Sequence, residues 1–385
     1  MTDKRSLQEI IQSRKSGWSL EQRFYTDEHI YQLEIDRLIM KNWIFVGHKS
    51  EFSRPGDFRV HNVANESAIV VCGDDGEIRA FANVCRHRGS VVCLESEGNT
   101  NKFVCPYHAW TYSNSGHLIA ARDMPSDFRR EEFKLKLISI EIVFGLVFVC
   151  FSEDPPSLID AKKNLAEPMK IFDLENLKVA ARKNYPIAAN WKLAIENYNE
   201  CYHCATAHPE YAKMHTLMLD DEKLNRLQSK MKKKMIECGI TDLEIGSWGS
   251  APPVGHTGYQ YSRTALFGEY KTGSRDGKPI APLLGEIKDY DGGASDFCLG
   301  PFSFFLAYSD HVVAYVFTPV DISNCQCDLY WLVRADAKEG KHYEKDELMW
   351  LWDITTQADE KIIVDNWRGV QSRFYEPGRL ARMEK

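Results

Sequence analysis

Two short stretches of this chain each pair a cysteine with a histidine: residues 85–89 read Cys-Arg-His-Arg-Gly, and residues 105–108 read Cys-Pro-Tyr-His. The pattern is C-x-H, then seventeen residues, then C-x-x-H. Two thiolates and two imidazoles in a pair of loops form a metal-binding donor set. Zinc is one candidate, but zinc fingers usually take two cysteines from one short motif and two histidines from another. The alternating order therefore argues against zinc.

The same four residues fit a Rieske [2Fe-2S] centre, in which two His replace two Cys on one of the two irons. Each loop would supply its cysteine to one iron and its histidine to the other. Gly89 and Pro106 suit such tight ligand loops. The sequence therefore predicts a [2Fe-2S] cluster bound by four residues: Cys85, His87, Cys105 and His108.

These loops resemble the Rieske family, and they also indicate a variant within it. High-potential members carry an additional cysteine in each loop, joined as a disulfide, where this chain has Ser90 and Tyr107. Trp110 stands where those members place a hydroxyl, two residues after the last ligand. Because fewer hydrogen bonds to the cluster sulfurs lower the reduction potential, we expect a low-potential cluster.

The hydrophobic pattern changes its period along the chain and so predicts a mixed fold. Residues 1–40 are polar with a helical period, and short alternating runs typical of strands follow to about residue 151. A linker at 153–156 precedes predicted helices at 158–172 and 191–203, a charged stretch at 223–234, and a Gly- and Pro-rich loop region at 246–293. Predicted strands at 302–308, 312–319 and 327–335 come before a long helix at 345–364.

Composition excludes several classes of protein. The 385 residues carry 48 Lys and Arg against 55 Asp and Glu, and this net charge of −7 argues against nucleic acid or an anionic membrane as the main partner. No apolar run approaches the roughly 18–20 residues of a membrane span. The N-terminal sequence MTDKRSLQEI has no apolar signal-peptide core. We therefore expect a cytoplasmic protein.

A second metal site is indicated between residues 196 and 209, where His203 and His208 are candidate ligands. Two His and one carboxylate leave open positions on ferrous iron for dioxygen. Glu200 and His203 are three residues apart and would share a helical face, whereas His208 is off that face, so the helix must distort or end before it. Pro209 supports such an end. Alone, two His five residues apart are better explained as core or surface histidines.

Beside the first motif, this arrangement resembles the large subunits of Rieske non-haem iron oxygenases over nearly the whole chain. The resemblance implies an α+β fold, with an all-β Rieske domain inserted into a helix-grip catalytic domain built from an antiparallel sheet and a long C-terminal helix. The implied boundaries are 1–40 for an N-terminal helical segment of the catalytic domain, 41–153 for the Rieske domain, and 154–385 for the catalytic domain.

The resemblance also implies roles for two acids. The third iron ligand in the family is an Asp ten residues before a Gly, which corresponds to Asp359 before Gly369, although Asp353 and Asp365 lie nearby. An acid three residues before the first His ligand bridges to a Rieske His of the neighbouring subunit. That role corresponds to Glu200 with His108, and it requires a head-to-tail homotrimer.

Electrons must come from a partner. Gly255, Gly258 and Gly268 lack the strand–turn–helix context of a dinucleotide fingerprint, and no flavin or nicotinamide site is visible in the sequence. The resemblance implies a separate flavin/iron-sulfur NAD(P)H reductase that feeds the cluster, which passes electrons to a mononuclear Fe(II) with O2 as co-substrate. A Rieske electron carrier or ligand-binding protein without oxygenase activity is the alternative from a different class.

Within the family, the chain resembles the group that acts on quaternary ammonium compounds, including carnitine, stachydrine and glycine-betaine oxygenases. The resemblance lies in segments 190–198, 200–204 and 373–378, and it implies oxidative N-demethylation with release of formaldehyde. An aromatic-ring dioxygenase or O-demethylase is the alternative. Ten aromatic residues are candidates for a cation cage, and most are expected in the core of a sheet: Trp248, Tyr259, Tyr261, Phe267, Phe302, Phe304, Phe305, Tyr308, Tyr315 and Phe317.

Overall fold

The computed structural model describes residues 5–246 and 252–384, which contain both helices and antiparallel sheets. The α-helices are α1 (Leu7–Ser13), α2 (Arg23–Thr26), α3 (Glu28–Glu34), α4 (Ile159–Lys170), α5 (Trp191–Tyr198), α6 (Cys204–Ala207), α7 (Pro209–Met214), α8 (Asp221–Cys238) and α9 (Lys345–Val370).

The strands fall into two groups along the chain. The first group is β1 (Ile44–His48), β2 (Asp57–Val63), β3 (Glu66–Cys72), β4 (Ile78–Ala82), β5 (Glu97–Asn99), β6 (Lys102–Val104), β7 (Thr111–Ser113), β8 (Leu118–Ala120), β9 (Leu137–Val143) and β10 (Leu146–Cys150). The second group is β11 (Leu177–Ile187), β12 (Tyr259–Ala265), β13 (Gly293–Leu299), β14 (Ser303–Ala307), β15 (Val312–Asp321) and β16 (Asn324–Arg334).

The first group forms two sheets that carry the cluster motif. A seven-stranded sheet has the order β1-β10-β9-β4-β3-β2-β5, and β6-β7-β8 form a three-stranded sheet. All pairings are antiparallel. One ligand motif follows β4, and the other connects β6 to β7, so strand ends on neighbouring sheets hold the two loops.

The second group forms one six-stranded antiparallel sheet in the order β11-β16-β15-β14-β13-β12, and α9 packs against β11 and α5 beside it. Strand β1 joins the two parts, because the Phe45 ring packs edge-to-face on Phe305 at 5.2 Å and on Tyr330 at 5.0 Å. This arrangement confirms the predicted α+β fold class, with an all-β unit inserted into an antiparallel sheet and a long C-terminal helix.

Several elements differ from the sequence prediction. The region 246–293, predicted as loop, contains β12 and the first residue of β13, and β11 was not predicted. The charged stretch 223–234 lies within α8, which buries Met231, Met235 and Cys238 on one face. The N-terminal region is several short helices, ending in a π-helical turn at Ile35–Ile39. No helix in the described ranges is long and apolar enough to cross a bilayer.

Candidate active site

The two cluster loops have the same backbone design. The Cys85 N–H donates to Ser90 O at 2.8 Å, and the Cys105 N–H donates to Trp110 O at 2.8 Å. In each loop the residue four after the cysteine donates back to the cysteine carbonyl and has a positive φ: Gly89 at 76° and Ala109 at 59°. The positive φ reverses the chain within one turn, which allows a cysteine and a histidine from each loop to face the same space.

The donor set is divided by depth. Cys85 and Cys105 are 3% and 2% exposed, whereas His87 and His108 are exposed, with ring centroids 4.7 Å apart. Two inner thiolates and two outer imidazoles are the division that a Rieske cluster requires, with one iron on each pair. The residues therefore fit the cluster that the sequence predicts.

Neighbouring side chains support these four residues. Trp110, at the position where high-potential proteins carry a hydroxyl, stacks on His87 at 4.8 Å with an interplanar angle of 11°. The sequence analysis missed Tyr112, whose hydroxyl lies 3.3 Å from Cys85 Sγ and accepts the Arg86 N–H at 3.0 Å. Because the hydroxyl accepts from that N–H, its own proton is free to be donated to the sulfur. Although Trp110 offers no hydroxyl to the cluster, the Tyr112 hydroxyl can therefore still donate one hydrogen bond to the Cys85 sulfur.

The second site is built where helix α5 ends. The sequence predicted a helix to residue 203, but α5 ends at Tyr198, and neither Glu200 nor His203 lies within a helix. The Glu200 carboxylate accepts hydrogen bonds from the backbone N–H groups of Tyr202 and His203 and so replaces helical bonds with a local turn. His208 has a non-helical backbone, with φ −144° and ψ 76°, between α6 and α7, in agreement with the bias that the following proline imposes.

Three side chains converge at this turn: His203, His208 and Asp359. The two Nε2 atoms are 3.2 Å apart, and Asp359 Oδ1 lies 3.2 Å from His203 Nε2 and 3.0 Å from His208 Nε2. Ligands about 2.1 Å from one ion stand about 3.0 Å apart at octahedral angles and about 3.4 Å apart at tetrahedral angles. The three atoms thus have the spacing that a single ion bound by all three would require.

The structure also separates the three acids of α9. Asp353 forms hydrogen bonds with Lys183 Nζ at 2.5 Å and with the Tyr185 hydroxyl at 2.5 Å. Asp365 is exposed and pairs with Arg368 at 2.9 Å. Only Asp359, among these three, reaches the histidines.

Electrostatics around His203 favour a cation. Its Nδ1 hydrogen-bonds to Glu200, while its Nε2 faces Asp359. Burial acts to lower the pKa of His203, but hydrogen bonds to Asp359 and Glu200 raise that pKa to about 10. A carboxylate on the far nitrogen of a ligand histidine is the usual way that proteins orient such a ligand. The predicted bridge from Glu200 to His108 of a neighbouring subunit stays a prediction.

A cavity of about 620 Å³ opens on the triad, and aromatic rings form one wall. Tyr198 lies 5.2 Å from Tyr315, which is 5.6 Å from Trp352, which is 5.4 Å from Tyr211. Of the ten aromatic candidates from the sequence, Tyr315 is the one that lines this cavity among the described residues, and Trp248 lies outside them. The sequence analysis missed Tyr198, Tyr211 and Trp352, although Tyr198 and Tyr211 flank the histidine motif within eight residues.

Comparison with known proteins matches two family models to separate parts of the chain. Residues 42–138 match the Rieske [2Fe-2S] domain, and residues 174–385 match the catalytic domain of the ring hydroxylating alpha subunit. The glycine betaine monooxygenase oxygenase subunit of Pseudomonas aeruginosa is 33% identical over 97% of this chain and 87% of its own length. The carnitine monooxygenase oxygenase subunit of Acinetobacter pittii is 36% identical over 51% of this chain and 54% of its own.

Among solved structures, a quaternary ammonium Rieske monooxygenase in complex with an inhibitor has a TM-score of 0.71 at 25% identity, covering 94% of this chain and 88% of its own. Together these matches confirm the predicted cofactors, a Rieske [2Fe-2S] cluster and a mononuclear iron. They also confirm an oxidoreductase of the oxygenase class.

Proposed function

The chain belongs to the family of ring-hydroxylating alpha subunits with a Rieske [2Fe-2S] domain, and on that premise we propose that it is an oxygenase that demethylates a quaternary ammonium compound. The relatives named for glycine betaine and carnitine support this substrate class. The observation that carries the proposal is the aromatic wall of Tyr198, Tyr315, Trp352 and Tyr211 beside the triad, because aromatic faces attract permanent cations.

We propose His203, His208 and Asp359 as the iron ligands and Cys85, His87, Cys105 and His108 as the cluster ligands. When bound, the iron would supply the open positions at which dioxygen is activated. All three ligand side chains line the cavity, so an ion held by them would meet a substrate bound there. Glu200 holds His203 in orientation through Nδ1. The domain boundaries at residues 40 and 153 belong to the same proposal.

The reaction balances with one dioxygen, two electrons and two protons. One oxygen atom enters a C–H bond of an N-methyl group, and the other leaves as water. The resulting hemiaminal breaks its C–N bond and gives formaldehyde and the demethylated amine. The electrons come from outside the chain, since the related oxygenase subunits belong to multicomponent systems. We propose a flavin/iron-sulfur NAD(P)H reductase as that partner, a homotrimer as the assembly and the cytoplasm as the location.

Product analysis tests the function. The purified chain, loaded with iron and cluster and coupled to an NAD(P)H reductase, is assayed for formaldehyde with glycine betaine, carnitine, choline and methoxybenzoates. We expect formaldehyde from one or more methylated ammonium compounds, with NAD(P)H and O2 consumed in step. Formaldehyde from the methoxybenzoates alone would overturn the proposal. Iron analysis should give three atoms per chain, whereas two would indicate a cluster carrier instead.

A further inference from the structure

One carboxylate in the cavity wall, Asp296, is neither part of the triad nor at the exposed rim where Asp221 lies. It belongs to β13, where it pairs with Ser262 of β12 and Leu306 of β14. Successive residues of a strand point to opposite faces, so Asp296 shares its face with Leu306, which also lines the cavity. Three strands from the second half of the chain therefore fix the position of this carboxylate.

Asp296 has no cationic partner among the described residues. Arg263 is the one cation in its electrostatic surroundings, but Arg263 pairs with Ser295 and lies on the opposite face of the sheet. The Arg263 guanidinium is already bound by Asp291, at 2.6 and 2.7 Å, and by Ser295 Oγ at 2.8 Å. No side chain of the described ranges donates a hydrogen bond to the Asp296 carboxylate.

The other charged groups of the cavity do not neutralise Asp296. Glu200 and Asp359 are anionic and engaged with His203, and Asp221 is exposed at the first turn of α8. Arg382, the one arginine or lysine that lines the cavity in the described part of the chain, is exposed to solvent. Burial therefore raises the pKa of Asp296 to about 7, since a buried carboxylate without a partner is costly to ionise.

The aromatic wall lies within reach of this carboxylate. Burial, and then the negative charge of Asp296, raises the pKa of Tyr198 well above its ordinary value, and the same charge contributes at Tyr211. The cavity thus combines aromatic faces on one side with an unpaired carboxylate on another. Aromatic rings attract cations but also bind neutral apolar groups, whereas the carboxylate favours the cation and repels an anion.

We propose that Asp296 is the counter-ion of the substrate's ammonium group and determines its selection over neutral molecules of the same shape. This inference rests on the proposed function and deepens it. A quaternary ammonium has no proton to lose, so its charge is available to Asp296 at every pH. Asp296 is thus a specificity-determining residue, distinct from the groups that hold the iron.

A pair of isosteric probes separates charge from shape. Choline and 3,3-dimethylbutan-1-ol differ in one atom, nitrogen against carbon, and therefore in charge. Their dissociation constants are measured by calorimetry on the anaerobic holoenzyme without reductase, for the unmodified chain, Asp296→Asn and Asp221→Asn. The Asp221 variant is the matched control, because it removes the same charge from an exposed position of the same cavity.

We expect choline to bind the unmodified chain more tightly than 3,3-dimethylbutan-1-ol does. Asp296→Asn should weaken choline binding by roughly tenfold or more and leave the neutral alcohol within about twofold, while Asp221→Asn should change neither. Unchanged choline affinity in Asp296→Asn would overturn the inference, as would equal loss of both probes, which indicates a structural role. The formaldehyde assay on the unmodified chain tests the demethylase proposal independently, so the two failures are distinguishable.

Discussion

Replacing Asp359 with alanine removes one corner of the triangle formed with His203 and His208. The Asp359 Oδ1 atom lies 3.0 and 3.2 Å from the two imidazole nitrogens, so its loss removes the carboxylate that completes the triangle. Loss of an outer partner of a metal ligand already costs about 10–100-fold in affinity, so loss of a direct ligand should cost more than about 100-fold. We expect that loss to empty the mononuclear site.

The measurement is iron per chain together with the visible and electron paramagnetic resonance spectra of the cluster. We expect the iron content to fall from three atoms to two, formaldehyde release to be lost, and the cluster spectrum to be unchanged. Asp365→Ala is the matched control, because Asp365 is on the same helix but exposed and paired with Arg368. Three irons and normal turnover in Asp359→Ala would refute the ligand assignment.

Three further predictions follow from single contacts. Tyr112→Phe removes a donor to the Cys85 sulfur and should lower the cluster potential by roughly 20–60 mV in protein-film voltammetry; an unchanged potential would show that the hydroxyl does not donate there. Glu200→Gln should slow substrate turnover by roughly tenfold or more while the cluster spectrum is unchanged, and normal turnover would contradict its orienting role. Because burial raises the pKa of Asp296 to about 7, its ionised form destabilises the fold increasingly as the pH rises from about 4 to 7. Asp296→Asn should therefore raise Tm by at least about 2 °C at pH 8 and by less at pH 5; equal shifts would contradict this.

The sequence predicts the chemistry best where the residues that bear it are close together. The four cluster residues lie within 24 residues, so their spacing alone indicates metal binding. The two histidine candidates lie within six residues, and they indicate a metal site only when read beside the cluster motif. Asp359 is 151 residues beyond His208, and only resemblance to a family separates it from Asp353 and Asp365. Ligand identity over such a distance depends on tertiary packing, which local patterns do not encode.

The cavity could not be predicted in the same way. Tyr211 and Trp352 are 141 residues apart and meet only because α7 packs on α9. Asp296 lies between the predicted loop region and the next predicted strand, and pairing with β12 and β14 places it in a strand and partly buries it. Strand formation there follows from the neighbouring strands more than from local propensity. Helix α5 also ends earlier than predicted, because the Glu200 carboxylate accepts a hydrogen bond from a backbone N–H that a longer helix would use.

Two neighbouring residues of β13 lie on opposite faces of the six-stranded sheet. Ser295 faces Arg263 and Asp291 in a saturated interior network, and Asp296, one peptide bond later, faces the cavity. Mutation of residue 296 can therefore change its charge or size without disrupting the hydrogen bonds among Ser295, Arg263 and Asp291. Because side chains alternate between the two faces of β13, substrate preference can change without altering the residues that hold the metals.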